Sequence, residues 1–233
     1  MALSKKLQSY LVTLVNKGII PQDLRDAIIS ASDINASNED GLGLVQYVSS
    51  NGDIRTLRTL INYGLDVNQL DSDSHSALHA AILSENKSII NFLLQPNILQ
   101  NVLQTNLDEM NAMQLAVQQR DASALSMLLK DKRFKAALHH KDIFGRTALD
   151  IAANAKWDEG IKLLLNNNPI QPNVVSGYGK TFYDISQHNL ESQLKKYLGR
   201  KGQKSLYNIG NCNGWSFLYM VYLTQESRNI LIS

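Results

Sequence analysis

The chain has 233 residues, of which 44% are hydrophobic and 19% charged, a balance typical of a globular protein and not of a disordered one. The formal net charge of +2 is too small to indicate a nucleic-acid partner by itself. A single cysteine, Cys212, excludes an internal disulfide and a multi-cysteine zinc site, and no apolar run reaches the ~18 residues that a transmembrane helix needs.

Residues 3–30 predict a pair of amphipathic helices. Leu7, Leu11 and Leu14 recur at helical spacing, and Pro21 separates them from a second stretch with Leu24 and Ile28. The segment has neither the apolar core nor the cleavage site of a signal peptide, so we expect no export by the general secretory route. We interpret residues 1–36 as N-terminal capping helices, which need a polar outer face.

A short phrase returns along the rest of the chain. Ser76-Ala77-Leu78-His79-Ala80-Ala81 is repeated as Thr147-Ala148-Leu149-Asp150-Ile151-Ala152, with weaker echoes that begin at Gly43, Asn111 and Thr181. The third residues of the five phrases are 33, 35, 36 and 34 positions apart. A nearly regular period of this length is typical of a repeat fold, in which each unit buries its apolar faces against its neighbours.

Each unit predicts a polar turn followed by two antiparallel helices. Ser76, Thr147 and Thr181 are suited to cap the first helix, because a hydroxyl accepts a hydrogen bond from an unpaired backbone amide. Leu78, Ala81 and Ile82 then share one face at i, i+3, i+4 spacing. The extra residues around Gln95-Pro96-Asn97 and around Lys132-Arg133-Phe134 should lengthen loops without breaking the stack.

The repeated phrase, together with Gly64-Leu65-Asp66-Val67-Asn68 at the end of one unit, resembles ankyrin repeats. The resemblance implies an all-α fold: an ankyrin-repeat solenoid of stacked helix pairs with capping repeats, about five units over residues 37–200. It implies structural roles for His79 and Asp150, which should bond the backbone of turns. The third unit departs from the family pattern, with Glu109 where glycine is preferred.

The resemblance also implies a binding surface on the turn tips and on the exposed side of the first helices. The turns open with Asn38, Asp71, Asn106, Asp142 and Ser176, and four of these five are Asx residues that bond their own turn. The predicted partner-binding residues are Asp73, His75, Leu107, Met110, Phe144, Arg146, Tyr178 and Lys180.

Two features of this surface suggest how a partner would be recognised. Acidic residues such as Asp40 and Asp73 come first along the chain, and the basic residues Arg146 and Lys180 follow. A partner whose charge changes in the opposite direction would be attracted to this surface and oriented on it. Phe144 is an aromatic residue near arginine at a predicted tip, which is typical of a binding hot spot. The alternative is that Phe144 folds back onto the next unit.

The pattern changes in residues 201–233. Asn211-Cys212-Asn213-Gly214-Trp215-Ser216 resembles the nucleophile segment of papain-like cysteine proteases, which implies Cys212 as nucleophile and Asn211 beside the oxyanion position. A thiol at a helix N-terminus would have a lowered pKa. All five histidines precede Cys212, although the family's base follows its cysteine. Either the chain is part of a longer protein, or this segment is a C-terminal cap; we expect no catalysis by this chain alone.

The combination is similar to translocated ankyrin effectors of intracellular bacterial pathogens, of the ankyrin-H kind. It implies specialised secretion into the cytoplasm or nucleus of a host cell, and a monomer that docks a host protein without cofactor, metal or membrane segment. One alternative is the targeting half of a cysteine protease. Another is a nucleic-acid site in the basic residues 195–204, for which a solvated helix end is the favoured interpretation.

Overall fold

A computed structural model describes residues 3–99 and 101–167 of the chain, which divides into two compact units between Phe134 and Lys135. The described residues form ten α-helices and one 3₁₀ helix, with isolated bridges at Ser37–Gly43 and Thr105–Asn111 and no strand. The helices are α1 Lys5–Asn16, α2 Gln22–Ala31, α3 Leu44–Asn51, α4 Ile54–Asn62, α5 Ala77–Leu83, α6 Lys87–Leu93, α7 Ala112–Gln118, α8 Ala122–Lys130, α9 Ala148–Asn154 and α10 Asp158–Asn167; the 3₁₀ helix is Lys132–His139. The predicted all-α fold is confirmed.

The first unit begins with the predicted amphipathic pair, α1 and α2, which contact each other. Ser4 caps α1, because its hydroxyl accepts from the amide of Leu7 at 3.2 Å. The leucines that recur along α1 are buried, as is Ile28 of α2. The helices are therefore present as predicted, whereas the boundary at residue 36 and their role as a cap remain predictions.

Three helix pairs follow in the first unit, and each pair is one repeat: α3 with α4, α5 with α6, α7 with α8. The first helices of the pairs contact one another, α3 with α5 and α5 with α7, and the second helices do the same. Small buried residues such as Ala77, Ala81 and Ala116 let the first helices approach closely. Each repeat thus buries its apolar faces mainly against its neighbours.

Side chains cap most of these short helices at their N-termini. Ser76, Asn111 and Thr147 form capping boxes with the residue three positions later, and this confirms the predicted caps at Ser76 and Thr147. Asp53 and Asp121 cap second helices with side-chain oxygens that accept hydrogen bonds from backbone amides. Helices of seven residues have few internal hydrogen bonds, so these caps contribute strongly to their stability. Thr181, the third predicted cap, lies outside the described residues.

The described part of the second unit contains α9 and α10, which pack against each other. Ala152, Ile161 and Leu164 are buried, and Gly160 leaves room for Trp157: a Cβ on Gly160 would lie 2.0 Å from the indole ring. Among the described helices, none has the length and apolar character that crossing a bilayer requires.

The connection around residues 132–134 is lengthened as predicted, but it is not an irregular loop. The chain forms the 3₁₀ helix there, and Phe134 is almost completely buried. Burial of one aromatic side chain stabilises a folded chain by about 2 kcal/mol, and this explains why the extra residues are ordered.

Candidate functional site: the turn tips

Four turns connect one repeat to the next, at residues 38–42, 71–75, 106–110 and 142–146. In each, the side-chain oxygen of the opening Asx residue accepts a hydrogen bond from the amide four positions later. The distances are 2.9 Å for Asn38–Leu42, 2.7 Å for Asp71–His75, 2.9 Å for Asn106–Met110 and 2.8 Å for Asp142–Arg146. The predicted role of the opening residues is confirmed for these four, and Ser176 lies outside the described residues.

The fourth residue of every turn has a left-handed backbone. The φ angles are 75° at Gly41, 60° at Ser74, 56° at Glu109 and 70° at Gly145. Glycine adopts this conformation without steric cost, whereas other residues are strained by it. This explains the family preference that Glu109 violates: the position needs a positive φ, and the surrounding hydrogen bonds hold Glu109 in it.

Neighbouring turns of the first unit are bonded to one another. The amide of Ser72 donates to the carbonyl oxygen of Gly41 at 3.1 Å, and the amide of Leu107 donates to that of Asp73 at 3.2 Å. Residues 39–42, 72–75 and 107–110 therefore form one continuous surface, which we call the tip row. Its backbone is fixed before any partner arrives.

The first helices hold these turns from beneath. His79 is completely buried, and its Nε2 lies 3.1 Å from the carbonyl oxygen of Met110, while Nδ1 accepts from the amide of Ser76. Burial lowers the pKa of His79 to about 4, so the imidazole is neutral near pH 7. Gln46 donates in the same way to the carbonyl oxygen of His75 at 2.9 Å. The predicted structural role of His79 is confirmed.

Asp150 occupies the same repeat position in the second unit, but it bonds its own helix cap. Its carboxylate accepts from the amide and the hydroxyl of Thr147, both at 2.8 Å. Burial raises the pKa of Asp150, and the hydrogen bonds from Thr147 partly oppose that shift. The hydrogen bonds between Asp150 and Thr147 join the turn to the first helix, as the resemblance implied.

The tip row exposes only some of the residues predicted to bind a partner. Asp73 is exposed, Leu107 is 63% exposed, and His75 is half-buried with its Nδ1 3.6 Å from Asp71. The expected exposure of Met110 is wrong, because this residue is only 1% exposed. Met110 follows the left-handed Glu109, and its side chain turns into the core while His79 binds its carbonyl group.

In the second unit, Phe144 is 45% exposed at the tip, and the neighbouring Ile143 is 57% exposed. The guanidinium carbon of Arg146 lies 4.7 Å from the centre of the Phe144 ring, a cation–π geometry. The predicted exposed aromatic residue beside arginine is therefore confirmed. Arg146 also binds the buried carboxylate of Asp142, at 2.7 Å, so less of its charge is available to a partner than the sequence suggested.

Two features of the first unit were not predicted from the sequence. Leu83, at the end of α5, is 45% exposed. It lies on the opposite side of the helix from Leu78 and Ala81, so its helical spacing could have indicated this exposure. Arg133 donates to the carbonyl oxygens of Leu94 at 2.6 Å and Leu99 at 2.8 Å. Both acceptors are more than thirty positions away, so no local pattern could have indicated the contact.

Several predicted residues lie outside the part of the chain that the structure describes: Tyr178, Lys180, Asn211 and Cys212. The change of charge sign along the whole stack and the protease-like site therefore stay predictions. Within residues 3–99 and 101–167, no three histidine, cysteine or acidic side chains are grouped so that they could hold a metal ion.

Residues 13–104 match a family model described as ankyrin repeats, in three copies. This range runs from α1 through the first repeats of the first unit, and it confirms ankyrin repeats within these residues. A comparison with curated proteins finds no match to the chain. The extent of the repeats to residue 200 and the effector and protease resemblances remain predictions.

Proposed function

We propose that this chain is a protein-binding module that docks a partner on its turn tips and on the exposed ends of the first helices of its repeats. Ankyrin repeats are protein–protein interaction modules. The observation that carries the proposal is the exposure of large apolar side chains at the tips, Leu107 in one unit and Ile143 and Phe144 in the other. Such side chains gain stability when a partner removes them from water.

The tips are also preorganised. Each turn has its Asx hydrogen bond and a backbone bond between its first and last residues, such as Asp71 N to His75 O at 3.1 Å. A fixed backbone loses little conformational entropy on association, so more of the contact energy contributes to affinity. The stacking of Arg146 on Phe144 similarly restricts that pair before binding.

The C-terminal ends of the first helices offer exposed polar groups. These residues are Asn51, Ser84, Gln118, Gln119 and Asn154. Neutral amides and hydroxyls around apolar anchors are the composition expected for the rim of an interface. Leu83 adds an apolar contact within this polar set.

The test is quantitative capture of partners from a cell lysate by immobilised full chain, read by mass spectrometry. We would compare wild type with Leu107→Ser and with Phe144→Ala, which alter one unit each. Val12→Ser is the matched control, because Val12 is 38% exposed on α1 and distant in sequence from the turns. We expect a protein that wild type and Val12→Ser retain but a tip variant loses. Equal capture by all four chains would contradict the tip surface.

We also propose that the partner is a host protein and that the chain is a bacterial effector delivered by a specialised secretion system. The support is the resemblance of the whole sequence, from the repeats to the segment around Cys212. The test is a fusion to a reporter enzyme that is active only in host cytosol. If host cells infected with a secretion-competent strain show no reporter activity, the fusion is not delivered into them, and this would contradict the proposal.

The alternative function is the targeting half of a papain-like cysteine protease, with Cys212 as nucleophile. The motif from Asn211 to Ser216 supports it. The measurement is the pH dependence of Cys212 alkylation, since a catalytic thiol ionises below the ~8.5 of a free cysteine. An ordinary titration in the native full-length protein would remove this alternative and leave the binding function unaffected.

A further inference from the structure

We infer that the tip row binds a basic segment of the partner, one that carries Lys or Arg on both sides of an apolar side chain. The inference rests on the proposed function and specifies the chemistry of the partner. It depends on three observations in the first unit: an exposed leucine, carboxylates on both sides of it, and the continuity of the backbone that carries them.

The apolar contact is Leu107. It is 63% exposed, the most exposed of the large hydrophobic side chains in the described residues. Its backbone is fixed, because its amide donates to Asp73 and the turn is closed by Asn106. A leucine held rigidly in water stabilises a complex when an apolar side chain of the partner covers it.

The charges around Leu107 all have one sign. Glu39, Asp40, Asp73 and Asp108 are exposed, and no residue in 39–42, 72–75 or 107–110 is Lys or Arg. The ion pairs of Arg25, His75, Arg133 and Arg146 are formed with Asp26, Asp71, Asp131 and Asp142, and therefore not with these four carboxylates.

Asp73 and Asp108 are nearest to Leu107 along the tip row. Asp73 accepts the amide of Leu107 through its carbonyl oxygen, and Asp108 is the next residue in the chain. Their backbone amides donate to Asp71 and Asn106, whereas their carboxylates have no intramolecular role in the turns. Neutral amides at these positions would therefore change the charge of the surface and leave the fold intact.

An acidic row with an apolar centre selects its occupant by charge. A cationic segment is steered toward it and oriented on it, and an acidic segment or a phosphate backbone is repelled. Because the carboxylates are exposed, each contributes little to affinity by itself, and the attraction weakens with salt. Specificity thus comes from basic residues placed beside a side chain that covers Leu107.

The experiment selects binders from a library of short random peptides with the full chain as bait. We expect the recovered peptides to be enriched in Lys and Arg beside an apolar residue. A recovered peptide should then bind Asp73→Asn/Asp108→Asn about tenfold more weakly by fluorescence anisotropy, since two exposed ion pairs are lost. The matched control is Asp26→Asn/Glu159→Gln, which removes the same charge from helices α2 and α10 and should bind as wild type does.

The two proposals fail in different ways. Peptides without basic enrichment, no recovered peptides, or equal binding by the tip and control variants would overturn the basic-segment inference. A captured lysate protein that still depends on Leu107 but not on Asp73 and Asp108 would overturn it too, while the docking function stands. If Leu107→Ser and Phe144→Ala capture the same lysate proteins as wild type, the result would instead contradict the proposed function itself.

Discussion

The Nε2 atom of His79 lies 3.1 Å from the carbonyl oxygen of Met110, so the first helix of one repeat holds the turn of the next. Nδ1 accepts from the amide of Ser76, and this fixes the neutral tautomer with a proton on Nε2. In the preceding repeat, Gln46 forms the same bond to His75. The position therefore needs a buried donor, which imidazole and amide groups both provide.

This relationship predicts an acid-sensitive fold. The pKa of His79 is lowered to about 4 from 6.5, so the unfolded chain binds the proton more tightly. Neutral His79 contributes fully to the stability of the fold above pH 6.5. As pH falls toward 4, the free energy of unfolding decreases by about 3 kcal/mol because the unfolded chain takes up the proton first. His79→Gln should remove this loss, because glutamine keeps the donor and does not titrate.

Urea denaturation of wild type and His79→Gln across this pH range measures the difference in the free energy of unfolding. His139→Gln is the control, because His139 is exposed. A His79→Gln protein whose stability falls with pH as steeply as that of wild type would contradict the prediction.

Asp150 should have the opposite pH dependence. Its pKa is raised by burial, so the folded chain binds the proton more tightly, and its contribution to stability falls as pH rises through the folded pKa. Asp150→Asn keeps an oxygen acceptor for Thr147 and removes the buried charge. We expect the variant to be more stable than wild type at neutral pH and the difference to vanish in acid. Thermal unfolding at several pH values measures this; lower stability of the variant at every pH would contradict it.

Arg133 should be important for the stability of the first unit. Its guanidinium binds the carbonyl oxygens of Leu94 and Leu99 as well as the carboxylate of Asp131. Arg133→Ala leaves three acceptors without this donor, so we expect a loss of about 2 kcal/mol in the free energy of unfolding. Arg133→Lys should recover only part of this, because an ammonium group lacks the planar fork.

Chemical denaturation compares these variants with Arg55→Ala, which removes an exposed arginine from α4. A surface change of that kind should shift stability by less than about 0.5 kcal/mol. Equal effects of Arg133→Ala and Arg55→Ala would show that the bridging contacts are not stabilising.

The left-handed turn position predicts opposite effects of two substitutions. A Cβ on Gly41 would lie 2.3 Å from the Cβ of Ser72, and its φ is 75°. Gly41→Ala should therefore destabilise the first unit by about 2 kcal/mol. Ser74→Gly relieves the strain of a φ of 60° and should leave stability unchanged or raise it, by at most about 1 kcal/mol.

The measurement is the melting temperature of both variants by circular dichroism, with Ser30→Ala on an exposed site of α2 as control. A Gly41→Ala protein with the same melting temperature as wild type would contradict the prediction and show that the turn accommodates the extra Cβ without losing stability. A clear loss of stability in Ser74→Gly would contradict the prediction. It would show that the larger conformational entropy that glycine gives to the unfolded chain outweighs the backbone strain that it relieves in the folded chain.

The sequence alone determined the features that depend on contacts within a few residues. Helix pairs follow from apolar spacing, the caps at Ser76 and Thr147 from hydroxyls beside unpaired amides, and the turns from Asx residues that bond four positions ahead. The period then predicted that such units stack. Because these interactions are local, residue type and spacing are sufficient to identify them.

The tertiary structure alone decided the features that depend on contacts between repeats. Met110 was predicted on the surface, yet it is buried, because its turn is held by His79 from 31 positions away. Arg133 is ordered by carbonyl groups 34 and 39 positions distant. The local pattern states which side chains are apolar or charged, but only the packing of one repeat against the next determines which of them remain exposed to a partner.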